Sequence, residues 1–370
     1  MEHVHPMEYR MSLEFSQERV VGTPDAERAR VLADPVFGEV MTDHMVTIKW
    51  SRERGWHDAR LGAYGPLTLD PTAQVFHYGQ EIFEGLKAYR RADGSIVSFR
   101  PDANAARLNT SAARMAMPAL PEEAFLEALR LLVDADRDWV PTGEGRSLYL
   151  RPFMIATQSS LGFYRPSDSY LFVVVAGPAG AYFKGGVEPV SVWLTTDYTR
   201  AADGGTGAAK CGGNYAGTLV AQEQAAEHGC DQVVWLDAKE RRWVDEMGTS
   251  NMFFVYGDRL VTPELTGTLL AGITRDSVLT LARDLGLVAE EGRISVEQWR
   301  ADAEAGRLTE VFSCGTSSMI TPVGRAKSAD GEWLMGDGRP GAVTMRLRAE
   351  LMGIQSGELP DRHGWVHKMA

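Results

Sequence analysis

Cysteine is nearly absent: Cys211, Cys230 and Cys314 are the only three in 370 residues. So few, so widely spaced, exclude a disulfide framework and a cysteine-built metal site, and they suit a reducing cytoplasm. Long apolar runs are missing too. The most hydrophobic stretch, Tyr170 to Ala176, stops at Gly177-Pro178. It falls well short of the roughly 20 residues a membrane-crossing helix needs and is expected as a buried strand. The opening Met1 to Arg10 is polar, so neither secretion nor membrane insertion is indicated. His3 and His5 make only a weak metal-binding pair at a terminus, and no metal site is expected. Basic runs are lacking as well. With a formal net charge of -12 and scattered arginines, the chain's field opposes nucleic acid and anionic membranes as partners.

Lysine is also scarce, seven against 31 arginines, and one of the seven has unusual surroundings. Lys210 lies in Arg200-Ala-Ala-Asp-Gly-Gly-Thr-Gly-Ala-Ala-Lys-Cys-Gly-Gly-Asn-Tyr215, between two glycine-rich turns and ahead of an expected amphipathic helix. Lys49, Lys87, Lys184, Lys239, Lys327 and Lys368 have no such turns on both sides. An amine that condenses with an aldehyde must be partly desolvated, aimed and open to a bulky partner. Local sequence alone serves a solvated loop lysine equally well, since glycine-rich loops are common.

The length suits two domains with substantial cores. Residues 1–45 carry no strong element signal and are expected as an arm. Strands are expected at Met45–Trp50, Lys87–Arg91 and Ile96–Phe99, the last two joined through Asp93-Gly94 as a hairpin. Pro121 opens a helix whose Phe125, Leu126, Leu129, Leu132 and Val133 form one stripe. Strands at Leu148–Leu150 and Leu171–Ala176 complete a small domain, 46–177. Residues 178–187, glycine-rich with Tyr182 and Phe183, read as an interdomain link. In the remainder, 188–370, strands are expected at Val190–Leu194, Gln232–Leu236 and Asn251–Tyr256, and helices near Tyr215–His228, Arg275–Leu285 and Val296–Glu304. Gly229 and Gly286 serve as C-caps, and Ser295 with Gln298 as a capping box. Beyond about residue 325 the pattern assigns no element.

An aldehyde cofactor that carries phosphate needs an anion cradle. In Leu269-Leu-Ala-Gly-Ile-Thr-Arg-Asp-Ser277, Gly272 permits close backbone approach, and Ile273 and Thr274 open a helix with free amides. Taken alone, these residues equally describe a capped helix behind a turn. A pyridoxal ring also needs a carboxylate at its nitrogen. Glu246 precedes an expected strand, and its neighbour Asp245 should point to the opposite side.

Lys210 with its following Gly-Gly-Asn-Tyr, then Glu246-Met-Gly-Thr-Ser-Asn, Gly272-Ile-Thr-Arg and Phe312-Ser-Cys-Gly-Thr316 resemble, in order and spacing, the branched-chain amino-acid aminotransferases of the class IV pyridoxal-phosphate enzymes. The resemblance runs from about Trp50 to Val323. It implies a mixed α/β fold of fold type IV, a small α/β domain plus a larger pseudo-barrel domain. It implies that pyridoxal 5'-phosphate is the cofactor, with Lys210 as Schiff-base lysine and proton shuttle, Glu246 at the ring nitrogen and Tyr215 at the phenolate oxygen. Arg107, Gly272, Ile273, Thr274 and Thr316 would hold the phosphate. Thr316 and Ser317 in the same turn would approach the substrate carboxylate. Tyr78, Phe83, Tyr149, Arg151 and Tyr182 would wall the substrate pocket. Without the resemblance, these aromatics read as core and Arg151 as a structural ion-pair residue.

The implied activity is reversible, ping-pong amino transfer between L-leucine, L-isoleucine or L-valine and 2-oxoglutarate, giving the branched 2-oxo acid and L-glutamate. Small-molecule amino acids and 2-oxo acids are thus the expected partners, within a cytoplasmic homodimer. Two rival readings remain: another class IV enzyme, such as a D-amino-acid aminotransferase or aminodeoxychorismate lyase, and a non-catalytic binding or structural protein. Tyr149-Leu-Arg151 favours the branched-chain enzyme, and the joint presence of amine, carboxylate and cradle opposes the non-catalytic reading. Ser318-Met-Ile-Thr321 stands where some animal members carry a Cys-x-x-Cys pair, so that thiol switch is excluded. Cys211 and Cys314 read as packing, and His77 as a packed histidine with one nitrogen satisfied.

Overall fold

Two nine-stranded sheets organise the chain in a computed structural model that describes residues 13–162, 165–181 and 186–370. In the first sheet the strands run Phe15–Gln17, Gly55–Ala63, His44–Ser51, Ser169–Ala179, Ser147–Ala156, Leu86–Arg90, Ile96–Phe99 and Val366–Lys368, with Glu81–Phe83 beside Ser147–Ala156. One face is closed by helix Glu122–Ala135, whose Phe125, Leu129, Leu132 and Val133 pack with Phe172 and Val174 in a single buried cluster. The pleat sets which residues leave that core. Along Ser147–Ala156, Leu148 and Leu150 are fully buried, while Tyr149 and Arg151 share the opposite face, paired with Gly177 and Val175.

The second sheet closes on itself. Strands Val244–Met247, Gln232–Leu236, Val190–Leu194, Met319–Ser328, Glu310–Gly315 and Ser250–Tyr256 run in that order, and the last pairs back to the first. The result is a barrel-like ring, extended by Arg259–Pro263 and Val288–Gly292. Alternation along Ser250–Tyr256 sends Phe254 to a cluster with Trp299 and Trp333, and Phe253 to one under helices Ile273–Asp284 and Ala342–Ser356. This is the mixed α/β fold with a barrel-like domain that the resemblance implies.

Several local expectations change. The helix expected over Tyr215–His228 is two, Gly213–Ala216 and Leu219–Glu227. Thr218 Oγ1 donates to the Tyr215 carbonyl at 2.6 Å, a side-chain bond that competes with the helical ladder. The second piece has no apolar stripe: Ala221 and Ala225 are buried, whereas Leu219 and Val220 are exposed. Ahead of His44 the chain forms strand Phe15–Gln17 and helix Asp25–Ala33, which the sequence pattern did not signal because that helix buries none of its residues. Strand Ser169–Ala179 extends through Pro178, where a link was expected to begin. Ser295 Oγ accepts from Gln298 N at 3.1 Å, but the Gln298 amide turns to Asp302, so the capping box is half-formed. Among the described residues no helix is long and apolar enough to cross a membrane, and no cluster suits a metal ion.

Candidate active site

The glycines around Lys210 have a steric cause. A β-carbon on Gly207 would overlap the backbone of Thr268, and Arg200 Nη1 ties the two segments by donating to the Gly207 and Thr268 carbonyls at 3.3 and 2.9 Å. One on Gly212 would overlap the Glu81 carboxylate, which accepts from the Gly212 amide. The lysine's own backbone is clamped to the first sheet's side of the molecule. Its amide donates to Ser111 Oγ at 2.9 Å, and its carbonyl accepts from Phe83 N at 3.0 Å. Lys210 is thereby fixed between the two sheets.

Its side chain enters a cavity of about 190 Å³. Nζ donates to the Tyr215 hydroxyl at 2.7 Å and stands 4.7 Å from the centre of the Phe83 ring. Some of its surface remains accessible, but only because it faces the cavity; protein surrounds it otherwise. Burial, reinforced by Arg107 and Arg151 and opposed by Glu84 and Glu246, pulls the amine down to about 7. A lysine in this state is substantially neutral near physiological pH and therefore nucleophilic. Burial pushes the Tyr215 phenol up, so it stays protonated.

Opposite lies Glu246, 2 % exposed. The two-residue turn at Gly248-Thr249 pairs Glu246 with Asn251 across the hairpin. Glu246 Oε1 lies 2.5 Å from Arg200 Nε as an ion pair, yet the approach lacks hydrogen-bond geometry and leaves that oxygen without a donor. Burial raises its carboxyl to about 7 against the pull of Arg200. Asp245 points the other way, accepting from Thr268 Oγ1 at 2.9 Å beside a separate cleft, as strand alternation requires.

The remaining expected residues divide clearly. Arg107, Gly272, Ile273, Thr274, Thr316 and Ser317 line one region of the same cavity. Helix Ile273–Asp284 begins there, and a β-carbon on Gly272 would overlap the Asn251 side chain. Phe83, Tyr149 and Arg151 line it as well, and Arg151 Nη2 donates to the Tyr149 hydroxyl at 3.1 Å. Arg151 Nε is buried without a hydrogen-bond partner among the described residues. Tyr78 is different: it is 41 % exposed, donates to the Leu161 carbonyl at 3.0 Å and does not line its own chain's cavity. Tyr182 lies outside the described residues. His77 is exposed rather than packed, though its Nε2 does meet the Pro71 carbonyl at 2.8 Å, and all three cysteines are free and buried.

Two groups went unassigned by sequence reasoning. Glu84, fully buried, grips Arg107 through two bonds of 2.8 Å and accepts from Asn104 Nδ2 at 2.8 Å. Arg200 faces Glu246. Each had a signal: Glu84 sits between the motif residues Phe83 and Gly85, and Arg200 opens the glycine-rich segment.

These features fit a phosphorylated pyridoxal: a neutral amine, a buried carboxylate lining the cavity for a ring nitrogen, and a cradle with its arginine already oriented. They also make Gly85 a specificity point, because a β-carbon there would overlap the Tyr149 hydroxyl. Gly85→Ala should displace that ring and lower kcat/KM for the amino donor about 10- to 100-fold with the fold retained, as steady-state kinetics would record.

The amino-transferase class IV family pattern matches residues 81–326. A branched-chain-amino-acid aminotransferase of Mycolicibacterium smegmatis is 61 % identical over 350 residues, covering 93 % of this chain and 95 % of that one. Among solved structures, the branched-chain amino acid aminotransferase of Escherichia coli superposes with a TM-score of 0.72 at 29 % identity, over 87 % of this chain and 99 % of that one. The branched-chain amino acid aminotransferase of Thermobaculum terrenum, solved in its PLP form, scores 0.71 at 25 % identity, over 87 % and 98 %. A pattern spanning most of both sheets, and near-full-length likeness to such enzymes, place the chain in the class IV aminotransferases.

Proposed function

We propose that the chain is a branched-chain L-amino-acid transaminase that moves an amino group reversibly between L-leucine, L-isoleucine or L-valine and 2-oxoglutarate. The observation that carries this reading is a single cavity holding Lys210, Glu246 and Arg107 together beneath an apolar wall that also presents an arginine. Pyridoxal phosphate, when bound, supplies an aldehyde to take up the amino group and an electron-withdrawing ring. Arg107, the amides of Ile273 and Thr274, and Thr316 hold its phosphate. Glu246 holds its ring nitrogen, and Tyr215 its phenolate oxygen. Lys210, neutral near pH 7, removes the proton from the substrate α-carbon and redelivers it. The Thr316–Ser317 turn receives the substrate carboxylate.

Phe83 and Tyr149 give the side-chain pocket its apolar character, and the guanidinium of Arg151, which lines the same cavity, receives the distal carboxylate of glutamate. Because donor and acceptor use one pocket in turn, kinetics are ping-pong. Phe76, Tyr78 and Leu161 are each exposed, and Tyr78 donates to the Leu161 carbonyl; large apolar side chains left in water here suit burial by a second copy, so the working unit is a homodimer. The two sheets are read as two domains, the first near 46–177 and the second near 188–370, with the link between them beginning after Ala179, the arm before residue 45 adding strand Phe15–Gln17 to the first sheet, and the last strand returning to that sheet. The location is cytoplasmic. A donor panel with 2-oxoglutarate tests the assignment: the three branched L-amino acids should be consumed fastest, and faster turnover of D-alanine or aminodeoxychorismate would sink it.

A further inference from the structure

Lys87, on strand Leu86–Arg90, is a cation with no carboxylate partner among the described residues. Its Nζ donates to the Ser317 carbonyl at 3.2 Å, and the charged group acting on it is another cation, Arg348. Burial, with Arg348, lowers its amine to about 8, as expected of a cation packed without a carboxylate.

Its position gives that charge a use. Lys87 lines a small cavity of about 20 Å³ with Ile273, Thr274 and Thr316, and those three residues also line the main cavity. Lys87 therefore stands behind the anion cradle. The cradle's positive charge is reduced, because Arg107 is held in a two-bond pair with the buried Glu84, which offsets part of its charge. The rest of the cradle is a helix N-terminus and hydroxyl groups, too little by themselves for a buried phosphate dianion. A phosphate seated there would meet, at the same wall, a cation with no carboxylate partner among the described residues.

We propose that Lys87 is a phosphate-anchoring residue, adding from behind the cradle positive charge to that of Arg107, part of which Glu84 offsets. The inference rests on the cofactor reading above. Lys87 acts through the Thr316–Ser317 turn it grips and across the small cavity, which has room for one bridging water. It is a positioning residue and does not touch the reacting atoms.

The test strips cofactor from the wild-type enzyme and from Lys87→Met and Lys87→Arg. Each is reloaded with pyridoxal phosphate or with pyridoxal, which lacks the phosphate, and binding is followed by quenching of protein fluorescence. Lys87→Met should weaken pyridoxal phosphate binding about 10-fold or more, leave pyridoxal binding unchanged, and Lys87→Arg should keep most of the preference. Equal weakening of both ligands, as a merely structural lysine would give, or an undiminished preference overturns the proposal. A wild-type protein with no preference for the phosphorylated ligand overturns the cofactor reading instead. If Lys87→Met does not fold, Lys87→Gln, whose amide can still reach toward the Ser317 carbonyl, makes the same comparison. Lost preference in that variant supports the role of charge, and retained preference removes it.

Discussion

Lys210→Ala abolishes transamination, lowering kcat by at least about 10⁴-fold, because among the described residues no other amine in the cavity stands beside both Tyr215 and Phe83. Cofactor binding survives in weakened form, since Arg107, the helix amides and Glu246 are untouched. The wild-type lysine carries a second signature. Burial, with Arg107 and Arg151, holds its amine near 7 in the cofactor-free protein. Only the neutral amine attacks an aldehyde, so the rate of pyridoxal phosphate capture should rise with pH up to about 7 and then level off. Stopped-flow absorbance across pH 5.5 to about 9.5 would record this; a rate that keeps climbing past about 9 describes an ordinary solvated lysine instead.

Glu84→Gln should cost the fold about 3 kcal/mol or more, because it leaves Arg107 buried beside a neutral partner. Burial alone would raise the Glu84 carboxyl. Arg107, Lys210 and Asn104 more than reverse that, and its pKa lies below the ordinary 4.5. The sign follows: the stabilisation is complete above about pH 4.5 and is lost as pH falls through the depressed value. Urea unfolding should therefore show a large midpoint difference between wild type and variant at pH 7, shrinking on strong acidification. The loss should also loosen phosphate binding, since Arg107 then has no fixed orientation. Equal midpoints at pH 7 would mean that the pair contributes nothing.

Local pattern was enough for elements whose burial follows one period. Ile96–Phe99, Val190–Leu194, Gln232–Leu236 and Val296–Glu304 occupy the residues expected of them. Pattern was not enough where burial comes from elsewhere. Helix Pro101–Arg114, which carries Arg107, buries Ala105, Leu108 and Ala112 among polar residues and has too few large apolar side chains to announce itself. Strand Val288–Gly292 has no buried residue and exists because it pairs with Arg259–Pro263. The break after Ala216 turns on one hydroxyl bond that no periodicity records.

Short-range order along the chain determined which atoms could do chemistry: a lysine among glycines, a carboxylate before a strand, a glycine opening a helix. Backbone sterics and capping act over a few residues, so they are written locally. Tertiary structure alone decided how those atoms behave. The depressed Lys210 amine, the Glu84–Arg107 grip across 23 residues and the exclusion of Tyr78 from its own chain's cavity all depend on through-space distance and on water removed by distant segments. Coulomb energy and desolvation take no account of sequence separation, and for that reason neither could be read before the two sheets were brought together.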